Sequence, residues 1–345
     1  MLIVFIVLPI IGICYFVPIF CAIFPNAAIP LIYLHYREVQ ISRNQNFSDF
    51  SSFGVLSDAA SDFFIKSDFD GTLLGTWQVR HIRPNATDDF VGQRYGAVNA
   101  GDIKDRAPIF LYLHGMAFNR AYPHRVEVYK LLSRLGYHVM TIDYRGWGFG
   151  NSGGSPQGEA DIVADAISLL RYARSVAPHS PVFVWGSSLG TGSLFLRIAG
   201  SMVRVINETG GVRPPEGIVL DAPFTNMLAA AYHSPQGKVS LPHSLRNAMR
   251  VVVALRHLLK HIFDSLNIAY DSETKSFQLA KCPILILHSA DDGIVPIQLG
   301  HTVMGFKIYK TLKKAKIDVT FKNLGFQGFG HDRNHEYPGI PRLIR

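Results

Sequence analysis

Ser188 stands in Gly186-Ser187-Ser188-Leu189-Gly190, a Gly-x-Ser-x-Gly pentapeptide directly behind the apolar run Val182-Phe183-Val184-Trp185. A helix-compatible stretch, Ser193-Leu194-Phe195-Leu196-Arg197-Ile198-Ala199, follows. Strand, tight turn and helix are the context in which a serine hydroxyl is presented as an attacking nucleophile. The two glycines remove side chains where strand and helix backbones pass close together. A helix opening beneath Ser188 offers free N–H groups and a positive dipole end to a developing oxyanion. A hydroxyl is a weak nucleophile alone, so it needs a base and a group that orients the base. His331, in Gly328-Phe329-Gly330-His331-Asp332, and a carboxylate of Asp291-Asp292-Gly293 have those chemistries. The predicted chemistry is acyl transfer through an acyl-enzyme, for which no cofactor and no metal are needed.

Each group needs a strand end to stand on. Pro108 to Met116 reads as a buried strand ending in His114-Gly115, and Tyr137 to Asp143 as another. Ile218-Val219-Leu220-Asp221 and Ile284-Leu285-Ile286-Leu287-His288 are two more. Amphipathic patterns at Val126–Leu135, stopped by Gly136, and at Asp161–Arg174 place helices between them. Buried strands alternating with helices predict a mostly parallel sheet with helices on both faces. Such sheets gather their sites at the carboxyl edge, where the carboxylates after His288 would lie. The turn after His114 can present the backbone N–H of Met116 as an oxyanion donor beside that of Leu189.

Other motifs in the chain admit different chemistry. Phe63–Ser67 and Leu73–Val79 flank Asp68-Phe69-Asp70-Gly71-Thr72, two strand-like runs around a turn, hence a hairpin. The same five residues match the nucleophile loop of haloacid-dehalogenase-type phosphatases. That loop needs a buried apolar strand immediately before it, where this chain has Lys66 and Ser67. The glycine-rich Gly146–Gly158 lacks the Lys-Ser/Thr of a phosphate cradle. His331 and His335 have helical zinc-ligand spacing, but Gly330 and Pro338 flank them and no Cys or third His is near. Three cysteines make no disulfide framework, and Cys282 reads as a small buried hydrophobe.

From Leu2 to Phe24 every residue is apolar, Gly or Pro, and no Asp, Glu, Lys or Arg occurs before Arg37. A run longer than the ~20 residues that cross a bilayer predicts a membrane span, kinked at Pro9 and Pro18. The expected layout is a membrane anchor over 1–36, a polar stalk over 37–60 and a catalytic domain over 61–345. Sequons at Asn46, Asn85 and Asn207 favour a lumenal or extracellular domain, whereas Arg37 and Arg43 pull that side toward the cytoplasm. A net charge of +8 comes with no nucleic-acid motif, and a membrane surface accounts for it as well, so no nucleic-acid partner is expected.

Taken together, His114-Gly115, Gly136-Tyr137-His138-Val139, Asp143-Tyr144-Arg145-Gly146-Trp147-Gly148, the Ser188 elbow, Ala222-Pro223-Phe224-Thr225-Asn226 and Cys282–His288 resemble the membrane-anchored abhydrolase-domain lipases. The likeness is to those that cleave lysophosphatidylserine and monoacylglycerols, and it covers roughly 108–345. It implies an α/β-hydrolase fold with Ser188 as nucleophile, His331 as base and Asp292 as acid, four residues before Pro296. It also implies a single-pass protein of the endoplasmic reticulum membrane with a lumenal catalytic domain and a lipid substrate. Met116 and Ser187 depart from the Asn and His common in relatives.

The stretch 223–276, between the strands ending at Asp221 and beginning at Ile284, is where a cap would lie. It has no acidic residue from Ala222 to Phe263, and Arg246, Arg250 and Arg256 alternate with Leu245, Met249, Val253 and Leu258. A basic amphipathic helix of this kind suits anionic head groups. Two other functions are compatible with the residues: an acyl-protein thioesterase, and a catalytically silent hydrolase fold that binds lipid or protein.

Overall fold

Runs of β-branched, aromatic and leucine residues become strands because they fit a pleated, buried surface. The computed structural model describes residues 45–82, 103, 105–148, 159–191, 213–224, 282–297, 304–314 and 316–345. Its strands are β1 (Ala60–Lys66), β2 (Leu73–Val79), β3 (Ile109–Leu113), β4 (His138–Ile142), β5 (Val182–Ser187), β6 (Gly217–Asp221), β7 (Ile284–His288) and β8 (Val319–Asn323). Its helices are α1 (Pro123–Arg134), α2 (Glu159–Val176), α3 (Met304–Lys314) and the short α4 (Ile340–Leu343). The strands form one eight-stranded sheet in the order β1-β2-β4-β3-β5-β6-β7-β8. β1 and β2 run antiparallel to their neighbours, and every other pairing is parallel.

The two faces of the sheet bury different side chains, as a period of two requires. Ile109, Leu111 and Leu113 of β3 join Val184, Ile218 and Ile286 in a core covered by Ile167 and Leu170 of α2 and Ile308 of α3. Phe110 and Tyr112 face the other way, with Trp185, Val219 and Leu287, under Val126, Tyr129 and Leu132 of α1. Because both faces are covered, the parallel strands read as unbroken apolar runs. α1 begins at Pro123, earlier than its amphipathic pattern at Val126, because proline's fixed φ suits a first helical turn.

The motif Asp68–Thr72 is a hairpin turn. Asp70 Oδ1 accepts from Thr72 N–H at 3.1 Å, and Gly71 takes φ +74°. Asp70 pairs with Arg145 at 2.7 Å and Asp68 with Arg171 at 3.2 Å, so both carboxylates serve to fasten the hairpin.

One expectation needs correction. Residues from 45 onward, assigned to a polar stalk, pack on the sheet. Phe47 and Phe50 are buried, and they and Phe53 surround Trp77 with ring centroids 6.3, 5.1 and 5.2 Å away. A spacing of three puts these phenylalanines on one side of the turn at Phe50–Phe53, with the serines outside. The apolar run 2–24 and the cap from 225 onward lie outside the described residues, as do Arg246, Arg250, Arg256, Asn85 and Asn207. Among the described residues, no helix is long and apolar enough to cross a membrane. Asn46 is exposed.

Candidate active site

β5 delivers Ser188 at its carboxyl end. The residue takes φ +49°, a left-handed conformation that a side chain rarely adopts and that surrounding structure must enforce. Gly190 shows part of the enforcement. A Cβ there would lie 2.1 Å from the Leu113 carbonyl oxygen, so only glycine lets the chain after Ser188 pass the end of β3. The turn Ser188–Gly190 is closed by Thr191, whose N–H and hydroxyl both donate to the Ser188 carbonyl, at 2.8 and 2.6 Å. The helix expected from Ser193 lies outside the described residues.

Asp292 and His331 meet. His331 Nδ1 donates to Asp292 Oδ2 at 2.8 Å. The other oxygen, Oδ1, accepts from Ile294 N–H at 2.9 Å and Val295 N–H at 2.8 Å, which fixes the carboxylate plane. His288, wholly buried, lies 3.5 Å from Oδ2 and 2.8 Å from the Val295 carbonyl. Burial pulls the Asp292 pKa up, but the hydrogen bonds from His288 and His331 outweigh it and hold the group well below the carboxylate range. For His331, burial disfavours the imidazolium, yet the Asp292 carboxylate, with Asp332 and Asp221 behind it, raises the pKa overall.

The loop carrying His331 is anchored at two points that the spacing of residues did not reveal. Asp291 accepts from Gly328 N–H at 2.5 Å and Gly330 N–H at 3.1 Å, so the first carboxylate of the pair holds the loop while the second holds the ring. Asn334 donates to buried Asp221 at 2.7 Å, and Trp185 donates to the same carboxylate at 3.2 Å. Burial pushes Asp221 up to about 6 against those hydrogen bonds. Asp221 is the register partner of Ser187, so the strand beside the elbow also tethers the histidine loop.

β3 supplies the facing wall. A Cβ on Gly115 would lie 3.4 Å from Ser188 Cβ, so the Gly115-Met116 turn abuts the serine. The Met116 carbonyl accepts from the Trp147 indole at 2.7 Å, which gives Asp143–Gly148 a supporting role. His114 is wholly buried, and its Nδ1 lies 2.7 Å from the Gly115 carbonyl. Burial lowers its pKa far below the ordinary value, so it stays neutral and shapes the turn. Leu189 is buried beneath the elbow. Ser188, Asp292 and His331 thus all follow the carboxyl ends of parallel strands. Among the described residues, no hydrogen bond joins Ser188 to His331.

The decisive comparison is with a family model described as "Hydrolase_4: Serine aminopeptidase, S33", which matches residues 105–332. The chain belongs to this family. The S33 match takes in Ser188, Asp292 and His331 together with every parallel strand. Among curated relatives, the lysophosphatidylserine lipase ABHD12 of Danio rerio is 34% identical over 239 residues, 69% of this chain and 57% of the relative. The human protein ABHD12B is 34% identical over 259 residues, 74% of this chain and 65% of the relative. The chain therefore spans between about half and two thirds of the curated relatives it matches. A solved alpha-beta hydrolase from Vibrio vulnificus superposes with TM-score 0.60 at 17% identity, covering 92% of each chain. An esterase of Pyrococcus furiosus gives 0.52 at 17% identity, covering 87% of this chain and 92% of its own. The S33 chain has the α/β-hydrolase fold.

At the opposite edge of the sheet, His81, Asp105 and His138 form a cluster with metal-type donors. Asp105 lies 2.6 Å from His81 Nε2 and 3.0 Å from His138 Nε2, while the His81 backbone N–H donates to His138 Nδ1 at 3.3 Å. That bond makes Nδ1 an acceptor and puts the proton on Nε2, the nitrogen a metal would need. These residues form a proton-bridged clip between the end of β2, the start of β4 and the segment entering β3.

The raised His331 pKa has a kinetic consequence. A general base must be neutral, so with His331 in that role kcat/KM is expected to fall with decreasing pH through a pKa above the ordinary imidazole value. A pH–rate profile on a soluble ester measures it. An acid limb at or below the ordinary value would contradict the electrostatics described above.

Proposed function

We propose that the chain is a serine hydrolase that cleaves acyl esters of lysophospholipids or monoacylglycerols. His331 takes the Ser188 proton as Oγ attacks the ester carbonyl, forming the Oγ–C bond of a tetrahedral intermediate. The N–H groups of Leu189 and Met116 receive the oxyanion. Collapse breaks the bond to the leaving alcohol, which takes the proton from His331 and leaves an acyl-enzyme. Water then attacks with His331 again as base, releasing the fatty acid and returning the proton to Ser188. Asp292 keeps the imidazole in the required tautomer and stabilises its charged form.

The observation that carries this reading is the 2.8 Å pair of His331 and Asp292 on the same sheet edge as a serine held at positive φ. The lysophosphatidylserine lipases among the relatives supply the substrate class. The apolar run 2–24 supports a single-pass membrane protein, the exposed sequon asparagine Asn46 a lumenal domain, and the resemblance to the membrane-anchored abhydrolase-domain lipases the endoplasmic reticulum, while the basic cap positions Arg246, Arg250 and Arg256 suit an anionic head group.

Fatty-acid release from lysophosphatidylserine, monoacylglycerol and an acyl-thioester, with Ser188→Ala as control, tests it. Turnover of the two lipids that disappears in the variant is expected. Turnover of the thioester alone would favour the thioesterase. A fully active Ser188→Ala protein would remove Ser188 as the nucleophile.

A further inference from the structure

The loop between β3 and α1 contains the second oxyanion donor, and one buried side chain gathers four of its carbonyls. Arg125, in the first turn of α1, is 2% exposed. Its guanidinium donates to the carbonyls of Asn119 at 2.6 Å, Phe118 at 2.9 Å and Gly115 at 3.3 Å, and to that of Ala117. Among the described residues it has no carboxylate partner. Arginine suits this task because its planar fork reaches several acceptors and never loses its charge. The loop it gathers is strained: Phe118 takes φ +64°, which persists only where neighbours over-determine it.

Geometry links this cation to the chemistry. The Gly115 carbonyl is held by Arg125 and faces His114 Nδ1 at 2.7 Å. A trans peptide points the next N–H opposite to its carbonyl, so this grip turns the Met116 N–H away from the arginine. The position where a Gly115 Cβ would stand is 3.4 Å from Ser188 Cβ and 3.8 Å from Arg125 Nη2, which brackets the turn between serine and cation. Resting on the serine-hydrolase reading, we propose that Arg125 is the positioning residue of the oxyanion site. It aims the Met116 N–H and sets a positive charge behind the place where the tetrahedral intermediate becomes negative. Unlike Asp292, it acts on the substrate oxygen and leaves the base untouched.

Arg125→Met and Arg125→Lys, assayed with a soluble acyl ester beside wild type and Ser188→Ala, test the assignment. Loss of one oxyanion donor typically costs ~10²–10³ in rate. Arg125→Met is expected to lose about that much in kcat, with KM within about threefold and the acid limb of the pH profile unmoved. Arg125→Lys, keeping charge but not the fork, should fall between. A fluorophosphonate end-point titration counts correctly folded sites, so reduced kcat per titrated site separates mispositioning from loss of protein. A cooperatively melting Arg125→Met protein with kcat within about threefold of wild type overturns the proposal. So does a change confined to KM, or failure of both variants to fold, which would make Arg125 a structural prop. Failure of the underlying reading looks different, since wild type would then match Ser188→Ala.

Discussion

Ser188→Ala is expected to lower ester turnover by about 10⁴–10⁶-fold while leaving the fold intact. Knocking out a triad serine costs on this scale because the covalent route closes, and what remains comes from binding and the oxyanion donors. The elbow should survive, because the forces that shape it do not involve the hydroxyl. Gly190 passes the Leu113 carbonyl, and Thr191 closes onto the Ser188 backbone. Alanine and serine both meet the same penalty at φ +49°. Melting temperature within a few degrees of wild type, together with absent fluorophosphonate labelling, is the expected pair of results. Labelling that persists at this position, or turnover reduced less than about tenfold, would move the nucleophile elsewhere.

Asp292→Asn is the more diagnostic change, with an expected loss near 10⁴-fold in kcat. The plane of the carboxylate is fixed. Two backbone N–H groups, of Ile294 and Val295, hold one oxygen at 2.9 and 2.8 Å, so an asparagine keeps its carbonyl there. Its amide nitrogen then faces His331 Nδ1, where the carboxylate oxygen was at 2.8 Å. A donor in that place forces the proton of the ring onto Nε2, the atom that must accept from Ser188. The variant should remain folded, with its acid limb shifted down because the raising carboxylate is gone. Turnover within tenfold of wild type would show that Asp292 does not orient the base. Asp221, hydrogen-bonded to Asn334 on the same loop, would be the next carboxylate to examine.

Much of the sheet could be read from residue types because its strands are short apolar runs between glycine and polar turns. The elbow was legible for the same reason: a close backbone passage leaves glycines in the text. Three kinds of feature were not. Which of Asp291 and Asp292 faces the imidazole depends on one step of loop geometry, and composition is blind to that. Arg125 and Asp291 act on backbone carbonyls and amides, which every residue possesses, so no partner residue type betrays them. α3 and β8 fell in a stretch where no element was expected. On α3 the buried Ile308 and Leu312 stand four apart with Lys310, Lys313 and Lys314 exposed, a stripe too short to stand out beside the glycine-rich loop that follows, and β8 is an edge strand with half-exposed side chains. The phenylalanines at 47, 50 and 53 did carry a readable spacing, masked by the serines among them.

Those phenylalanines have a mechanical consequence. Gln45 accepts from the Asn119 side chain at 2.7 Å, and the Arg120 guanidinium lies 4.0 Å over the Phe47 ring. Asn119 is one of the residues whose carbonyl Arg125 holds. Tension applied to the chain ahead of residue 45 would therefore reach the loop between β3 and α1 through a few stiff contacts instead of dissipating in slack polypeptide. The lead-in works as a strut, and cutting away residues 45–53 would loosen the loop between β3 and α1 that Arg125 gathers.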